Sequence, residues 1–546
     1  MLENPIYKAI VIICLYISTL FVMTTNQIFG PTISDNFLLS VLPTLALIYI
    51  FSSENKTDGG KKQAQHPPVT KNLRHKKPTP DIIPLGKVGQ EYVGFRLDAP
   101  GNHNVIAQGS SGVGKGAGFI FPILLNNKSD VILERGNQQE KVHFLILDPK
   151  GEFAEGTRVP GDGSIVINPA DRQSYGFDPL YGLTRSSMEQ EIKIRMELIA
   201  NSIVAEGKPD EIWWKTGRHM TTAMLIYFFK YPRLDEFGNI PAKVTVPQLL
   251  KMSIARDVKE TVKEIYANSP EDSMMHSLVA DYVGLADQTL TSVSFNVGAA
   301  IKNFLGDRDI CYSLSDNPRK INPTDLRKRS VYVVIPLDKL ATYAAYWTMI
   351  SDITMNWIMG LPEKSLEPDR PYFGLLFDEL SAVFSGTHSK PSMLIQTLRL
   401  VRSRGGVVIC ASQTLAGIED VMQSHLLDDF VANFEYKIVL DAQDKKGGEF
   451  FSKKVRTFNK RKVSYSGSST KRRRSVSWSD GKIYDESDLA TLGGTDELLL
   501  ISSKCIDDKG KENPGFATLK KVFYFKDPYY KKLYDIVKEK QREGMQ

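Results

Sequence analysis

The chain has 546 residues, 42% of them hydrophobic and 24% charged, with a formal net charge of +6. That length exceeds one ordinary domain, the mixed composition is that of a globular protein, and so small a basic excess does not by itself imply nucleic acid. The four cysteines, Cys14, Cys311, Cys410 and Cys505, stand far apart, with no CxxC pair and no His/Cys cluster. They argue against a zinc site and read as free thiols in a reducing compartment.

The N-terminal region differs from the rest. Between Lys8 and Asp35 there is no charged residue, and "AIVIICLYISTLFVMTT" is long enough to span a bilayer as a helix. A second uncharged stretch, "NFLLSVLPTLALIYIFSS", follows, and Pro43 within it is tolerable in a membrane helix. A cleaved signal peptide would account for the first stretch alone, but no convincing small-residue cleavage site follows it. Lys56, Lys61, Lys62, Lys71, Arg74, Lys76 and Lys77 come after the second stretch, and the loop between the two has no Lys or Arg. The positive-inside rule then puts both ends in the cytoplasm. The pattern predicts a transmembrane hairpin over residues 1–55 and a polar, Lys- and Pro-containing linker over 56–81.

A globular region is expected from Ile82. "HNVIAQG" offers a buried strand, "GSSGVGKGAG" a glycine turn, and "KGAGFIFPILL" a short helix. Strand, glycine turn and helix form the context that a phosphate-binding P-loop needs, in which backbone N–H groups and a helix N-terminus face the phosphates. The candidate loop is Gly109, Ser110, Ser111, Gly112, Val113, Gly114, Lys115 and Gly116. Lys115 would neutralise the β/γ-phosphates of ATP. Gly116 stands where the pattern has Ser or Thr, so the hydroxyl that holds Mg²⁺ is missing. Mg²⁺ would then rest on phosphate oxygens, water and a carboxylate elsewhere, and Gly116→Ser is expected to be tolerated provided the side chain fits.

Further along, "VHFLILDPKGEF" is an apolar strand ending in Asp148, and "SIVINP" reads as another. Strands alternating with helical segments imply a parallel, doubly wound sheet. The chain is then helix-rich from about Ser186 to Gly306, with Ile192, Met196, Ile199 and Ile203 on one helical face. Strand character resumes at "SVYVVIP", so this block reads as an all-α insertion over 186–325. In "YFGLLFDEL" a strand runs into Asp378 and Glu379. In a P-loop ATPase the first carboxylate orients the Mg²⁺ shell and the second polarises the attacking water. "GGVVICASQT" places Gln413 at a strand tip, where it can contact a γ-phosphate. A Ser-rich basic stretch, Lys453–Asp480, reads as a mobile loop, either simply solvated or an electrostatic contact for nucleic acid, anionic lipid or an acidic partner. A strand and a terminal helix over 531–546 close the chain.

Taken in order, "VIAQGSSGVGKGAGFIFPILL", "LDPKGE", "INP", "LLFDEL", "ASQT" and "VFYFKDPYY" make the chain resemble the type IV secretion coupling proteins, the TraG-like ATPases of conjugation and effector secretion. Many members of that family also read Gly-Lys-Gly in the P-loop. The resemblance implies an α/β fold: a RecA-like P-loop ATPase domain formed by residues 82–185 and 326–530, interrupted by the all-α domain and preceded by an inner-membrane hairpin. It implies ATP and Mg²⁺ as cofactors, with Lys115 on phosphate, Asp378 on the metal shell, Glu379 on the water and Gln413 on the γ-phosphate. Implied partners are a relaxase–DNA complex or secreted effector proteins, the channel components of the inner membrane, and five further copies in a homo-hexamer. "LSAVF" after Glu379 departs from the family's small-residue run, and no long recruiting tail follows the last strand. Three other readings compete: a docking receptor for effectors without DNA, an FtsK-like DNA translocase, and a nucleotide-binding scaffold without hydrolysis.

Overall fold

A computed structural model of the chain describes residues 73–136, 139–206, 212–234, 238–315, 317–380, 392–422, 427–455, 457–466, 473–506 and 515–544. The expected membrane hairpin lies outside them, as does most of the linker. Among the described residues no helix is long and apolar enough to cross a membrane. Two units are distinct: one comprises residues 68–456 and 484–546, the other residues 1–67 and 457–483.

The larger unit is organised by a sheet of twelve strands. Its central strands are β4 (Val105–Gln108), β5 (Val142–Asp148), β6 (Ile165–Ile167), β9 (Val331–Val334), β10 (Tyr372–Phe377), β11 (Gly406–Ser412) and β12 (Tyr436–Val439). They lie side by side in the order β12-β4-β11-β10-β5-β9-β6, each parallel to its neighbours. β4, β5 and β11 are buried along their whole length. That is why they read as near-continuous apolar runs rather than alternating ones: helices cover both faces of a parallel sheet.

Beyond β12 the sheet continues antiparallel through β15 (Glu497–Ile501), β16 (Phe516–Lys520), β2 (Ile82–Val88), β3 (Glu91–Arg96) and β1 (Arg74–His75). The sheet therefore starts at Arg74, inside the stretch expected as linker, because Arg74 and His75 pair with Val93 and Tyr92 of β3. Early and late strands meet where Lys87 pairs with Lys520. The closing helix, Pro528–Glu543, begins slightly before the expected boundary, where Asp527 caps the amides of Tyr529 and Tyr530.

Between β7 (Gly176–Phe177) and β8 (Lys320–Ile321) the described residues from Glu189 to Leu314 form helices and their connections, within the stretch expected as an all-α insertion. Ile192, Met196 and Ile199 are fully buried and Ile203 nearly so. Side-chain caps start several of these helices: Thr245 forms a capping box with Gln248, and Asp257, Ser273 and Asp307 each accept backbone N–H groups.

The smaller unit holds β13 (Thr457–Ser466) and β14 (Arg473–Lys482), paired antiparallel with Val463 opposite Val476. A hairpin thus occupies most of the stretch expected as a basic loop.

Candidate active site

β4 delivers the P-loop to the carboxyl end of the sheet. Gly109 donates its N–H to the Ser412 carbonyl of β11 (3.1 Å), and Leu440 donates to the Gln108 carbonyl (2.8 Å). The loop then turns through Gly112 (φ +84°) and Gly114 (φ +98°), backbone conformations that a side chain strains, into a π-helical turn at Gly116–Ile120. A Cβ on Gly114 would also lie 2.6 Å from the Phe523 ring. The helix that follows, Phe121–Asn127, is wholly buried and fixes the loop's exit direction.

Lys115 sits at the centre of the site. Its Nζ donates to the Gly109 carbonyl (2.7 Å) and lies 3.7 Å from Glu379 Oε2. Burial pushes the Lys115 amine below its usual range, while Glu379, Asp378 and Asp441 pull it back and Lys150 repels it. β10 and β5 are neighbours with Phe377 beside Leu147, so Asp378 and Asp148 follow at adjacent strand tips. Burial raises the Asp378 carboxyl to about 6, with repulsion from Glu152 and Glu379 opposed by Lys115 and Lys150. Burial likewise raises Asp148 to about 7, with the Ala154 amide opposing and Asp378 and Glu152 adding repulsion. Asp148 Oδ2 accepts from the Ala154 N–H (2.7 Å), whereas its fully buried Oδ1 has no hydrogen-bond partner. The tip of β11 meets the same group of residues: Glu379 Oε1 lies 3.4 Å from both Ser412 Oγ and the Gln413 backbone N. The Gln413 side chain is exposed.

The expected residues therefore converge. Gly109–Gly116, Lys115, Asp378, Glu379 and the Gln413 backbone gather at one end of three adjacent parallel strands. Three further residues bear on the loop without having been expected. Asp441, fully buried, accepts both the N–H (2.6 Å) and the hydroxyl (2.5 Å) of Ser110. Phe523 packs on Gly114 and Gly118, and Tyr524 donates its N–H to the Ala117 carbonyl (3.0 Å). Asp441 carried a legible signal: "KIVLD" ends an apolar run in Asp, as "HFLILD" and "GLLFD" do. Whether Gly116→Ser fits turns on Glu152: a Cβ at 116 would lie 3.0 Å from Glu152 Oε1, the end of a flexible side chain that must give by a few tenths of an ångström.

The site suits a magnesium nucleotide. Positive-φ glycines leave room for phosphate oxygens beside the loop amides, Lys115 has only a loop carbonyl and a carboxylate to leave, and the unpartnered Asp148 oxygen adds to a set of hard oxygen donors. A cavity of about 620 Å³ lined by Lys141, His143, Arg327 and Tyr372 lies instead at the amino ends of β5 and β10.

The sheet order, with β11 between the P-loop strand and the acid-tipped β10, defines a RecA-like nucleotide-binding fold. A family model described as the type IV secretion-system coupling protein DNA-binding domain matches residues 102–491. The chain belongs to the type IV secretion-system coupling proteins. Among solved structures it is similar to the bacterial conjugative coupling protein TrwBdeltaN70 in an unbound form, at 16% identity and a TM-score of 0.58, covering 83% of this chain and 90% of that one. It is also similar to the plasmid coupling protein TrwB in complex with ADP and Mg²⁺ (16% identity, TM-score 0.54, 83% and 91% coverage) and with the ATP analogue ADPNP (16%, 0.54, 77% and 85%). These likenesses establish the fold. No curated protein matches the chain.

Proposed function

We propose that this chain is a membrane-anchored ATPase that couples a relaxase–DNA complex to a type IV secretion channel during conjugative transfer. The observation that carries the catalytic part is the approach of Lys115 to Glu379, beside Asp378, at the carboxyl ends of β4 and β10. The coupling role rests on family membership and on the DNA-binding description of the matched domain.

In this reading the loop amides and Lys115 hold the β- and γ-phosphates. Nucleotide binding draws Lys115 away from the Gly109 carbonyl. Mg²⁺, when bound, neutralises phosphate charge, and Asp378 orients its shell. Glu379, released from Lys115, orients or deprotonates the attacking water, and the β11 tip at Ser412 and Gln413 senses the change through Glu379. The uncharged stretches of residues 1–55 anchor the protein in the inner membrane with the large unit in the cytoplasm, and subunits assemble as a hexamer.

Two variants test the assignment. Lys115→Ala weakens nucleotide binding itself. Glu379→Gln keeps nucleotide binding, loses roughly 10²-fold or more in turnover, and accumulates as ATP-loaded oligomers that poison transfer when mixed with wild type. Equal loss of ATP binding in both variants contradicts these roles. Normal turnover in Glu379→Gln moves the catalytic carboxylate elsewhere.

A further inference from the structure

The P-loop lacks its hydroxyl at Gly116, yet the space beside that residue is occupied. Glu152 opens the helix Glu152–Thr157, which leaves the tip of β5 through Gly151 in a left-handed turn (φ +71°). Its Oε1 lies 3.0 Å from where a Cβ on Gly116 would stand, and the Phe153 ring lies 3.6 Å from the same point. A serine or threonine at 116 would compete with the Glu152 carboxylate for one volume. Among the described residues Glu152 forms no ion pair. Beside it, Asp148 is fully buried with Oδ1 unpartnered, and β5 and β10 bring Asp378 next to Asp148.

We propose that Glu152 takes the place of the missing hydroxyl: its carboxylate holds the nucleotide's Mg²⁺ from the P-loop side, with Asp378 on the other. Gly116 is then the residue that makes room for an acidic donor supplied by the next strand-to-helix turn. Mg²⁺ accepts carboxylate oxygens readily and keeps several waters, so a change of donor from hydroxyl to carboxylate preserves the oxygen shell. The idea rests on the ATP-site reading above and adds one residue to it. The competing role for Glu152, an acid favoured in the first turn of a helix, predicts a loss of stability and no effect on metal.

The test is binding of a fluorescent ATP analogue to the detergent-solubilised full chain while Mg²⁺ is titrated, with thermal melts alongside. Glu152→Gln is expected to raise the Mg²⁺ concentration for half-maximal binding by roughly 10- to 100-fold, with no loss of metal-free nucleotide affinity, since it removes a negative charge beside the phosphates. Gly116→Ser alone crowds the carboxylate and binds poorly. Gly116→Ser combined with Glu152→Ala, which restores a hydroxyl and vacates its space, returns the Mg²⁺ requirement toward wild type. An unchanged Mg²⁺ requirement in Glu152→Gln, or a double variant no better than Glu152→Ala alone, overturns the inference while leaving the ATP site intact. A wild-type chain that binds no nucleotide sinks the ATP site and this inference together.

Discussion

His103 lies two residues before β4 and is 3% exposed, stacked on Phe95 with rings 5.4 Å apart and 8° from parallel. Burial lowers its pKa to about 4, with Arg402 adding repulsion and the Ala99 backbone opposing. The folded protein therefore keeps His103 neutral where the unfolded chain takes up a proton. That stability is present above the unfolded pKa of about 6.5 and is lost as pH falls toward the folded value. His103→Phe keeps the stack and removes the titration. Between pH 7 and pH 5 the variant is expected to lose about 2 kcal/mol less stability than wild type, as read from denaturant unfolding at the two pH values. Equal losses would mean that the imidazole is reached by water in the folded state. A small polar group can thus tax the very strand that carries the P-loop.

Among elements, the strand tips were the most legible. A parallel strand buried on both faces writes itself as an apolar run, and the residue that ends it emerges at the functional edge. That rule located Asp148 and Asp378 from sequence, and it applies equally to Asp441, whose grip on Ser110 needed the neighbouring strand β12 to be seen. Glu152 was not readable as Gly116's neighbour, because the closeness comes from two separate strand-to-helix turns. The hairpin was hidden differently. "KVSYS" and "RSVSWSD" do alternate, but Ser, Lys and Arg mask the period that defines a strand. Register now places Arg473 opposite Ser466 and Arg474 opposite Tyr465 in β14, with Lys471 and Arg472 just before it, outside the described residues. If this hairpin touches DNA phosphates, replacing Lys471, Arg472, Arg473 and Arg474 with Ala should flatten the salt dependence of DNA binding by up to about one unit of slope per lost contact. An unchanged slope would mark the hairpin as merely solvated.

For the whole molecule, the nucleotide-site residues all lie in the larger unit, and residues 1–55, outside the described residues, carry two uncharged stretches long enough to match a bilayer's thickness. Removing them is expected to give a soluble protein that still binds nucleotide but no longer supports transfer; full-length chain found in the soluble fraction without detergent would contradict the anchor. The late segment Phe516–Tyr524 bears on how such a protein is made. Its strand pairs with β2 and β15, and its Phe523 and Tyr524 seat the P-loop turn. The P-loop leaves the ribosome about four hundred residues before the residues that brace it. ATP therefore has no finished pocket to bind on a nascent chain, and these long-range pairings make closing the sheet a late folding step. Translation itself leaves the loop unbraced until Phe516–Tyr524 has emerged, so a copy stalled or truncated before that segment carries the P-loop sequence without the brace that sets its shape.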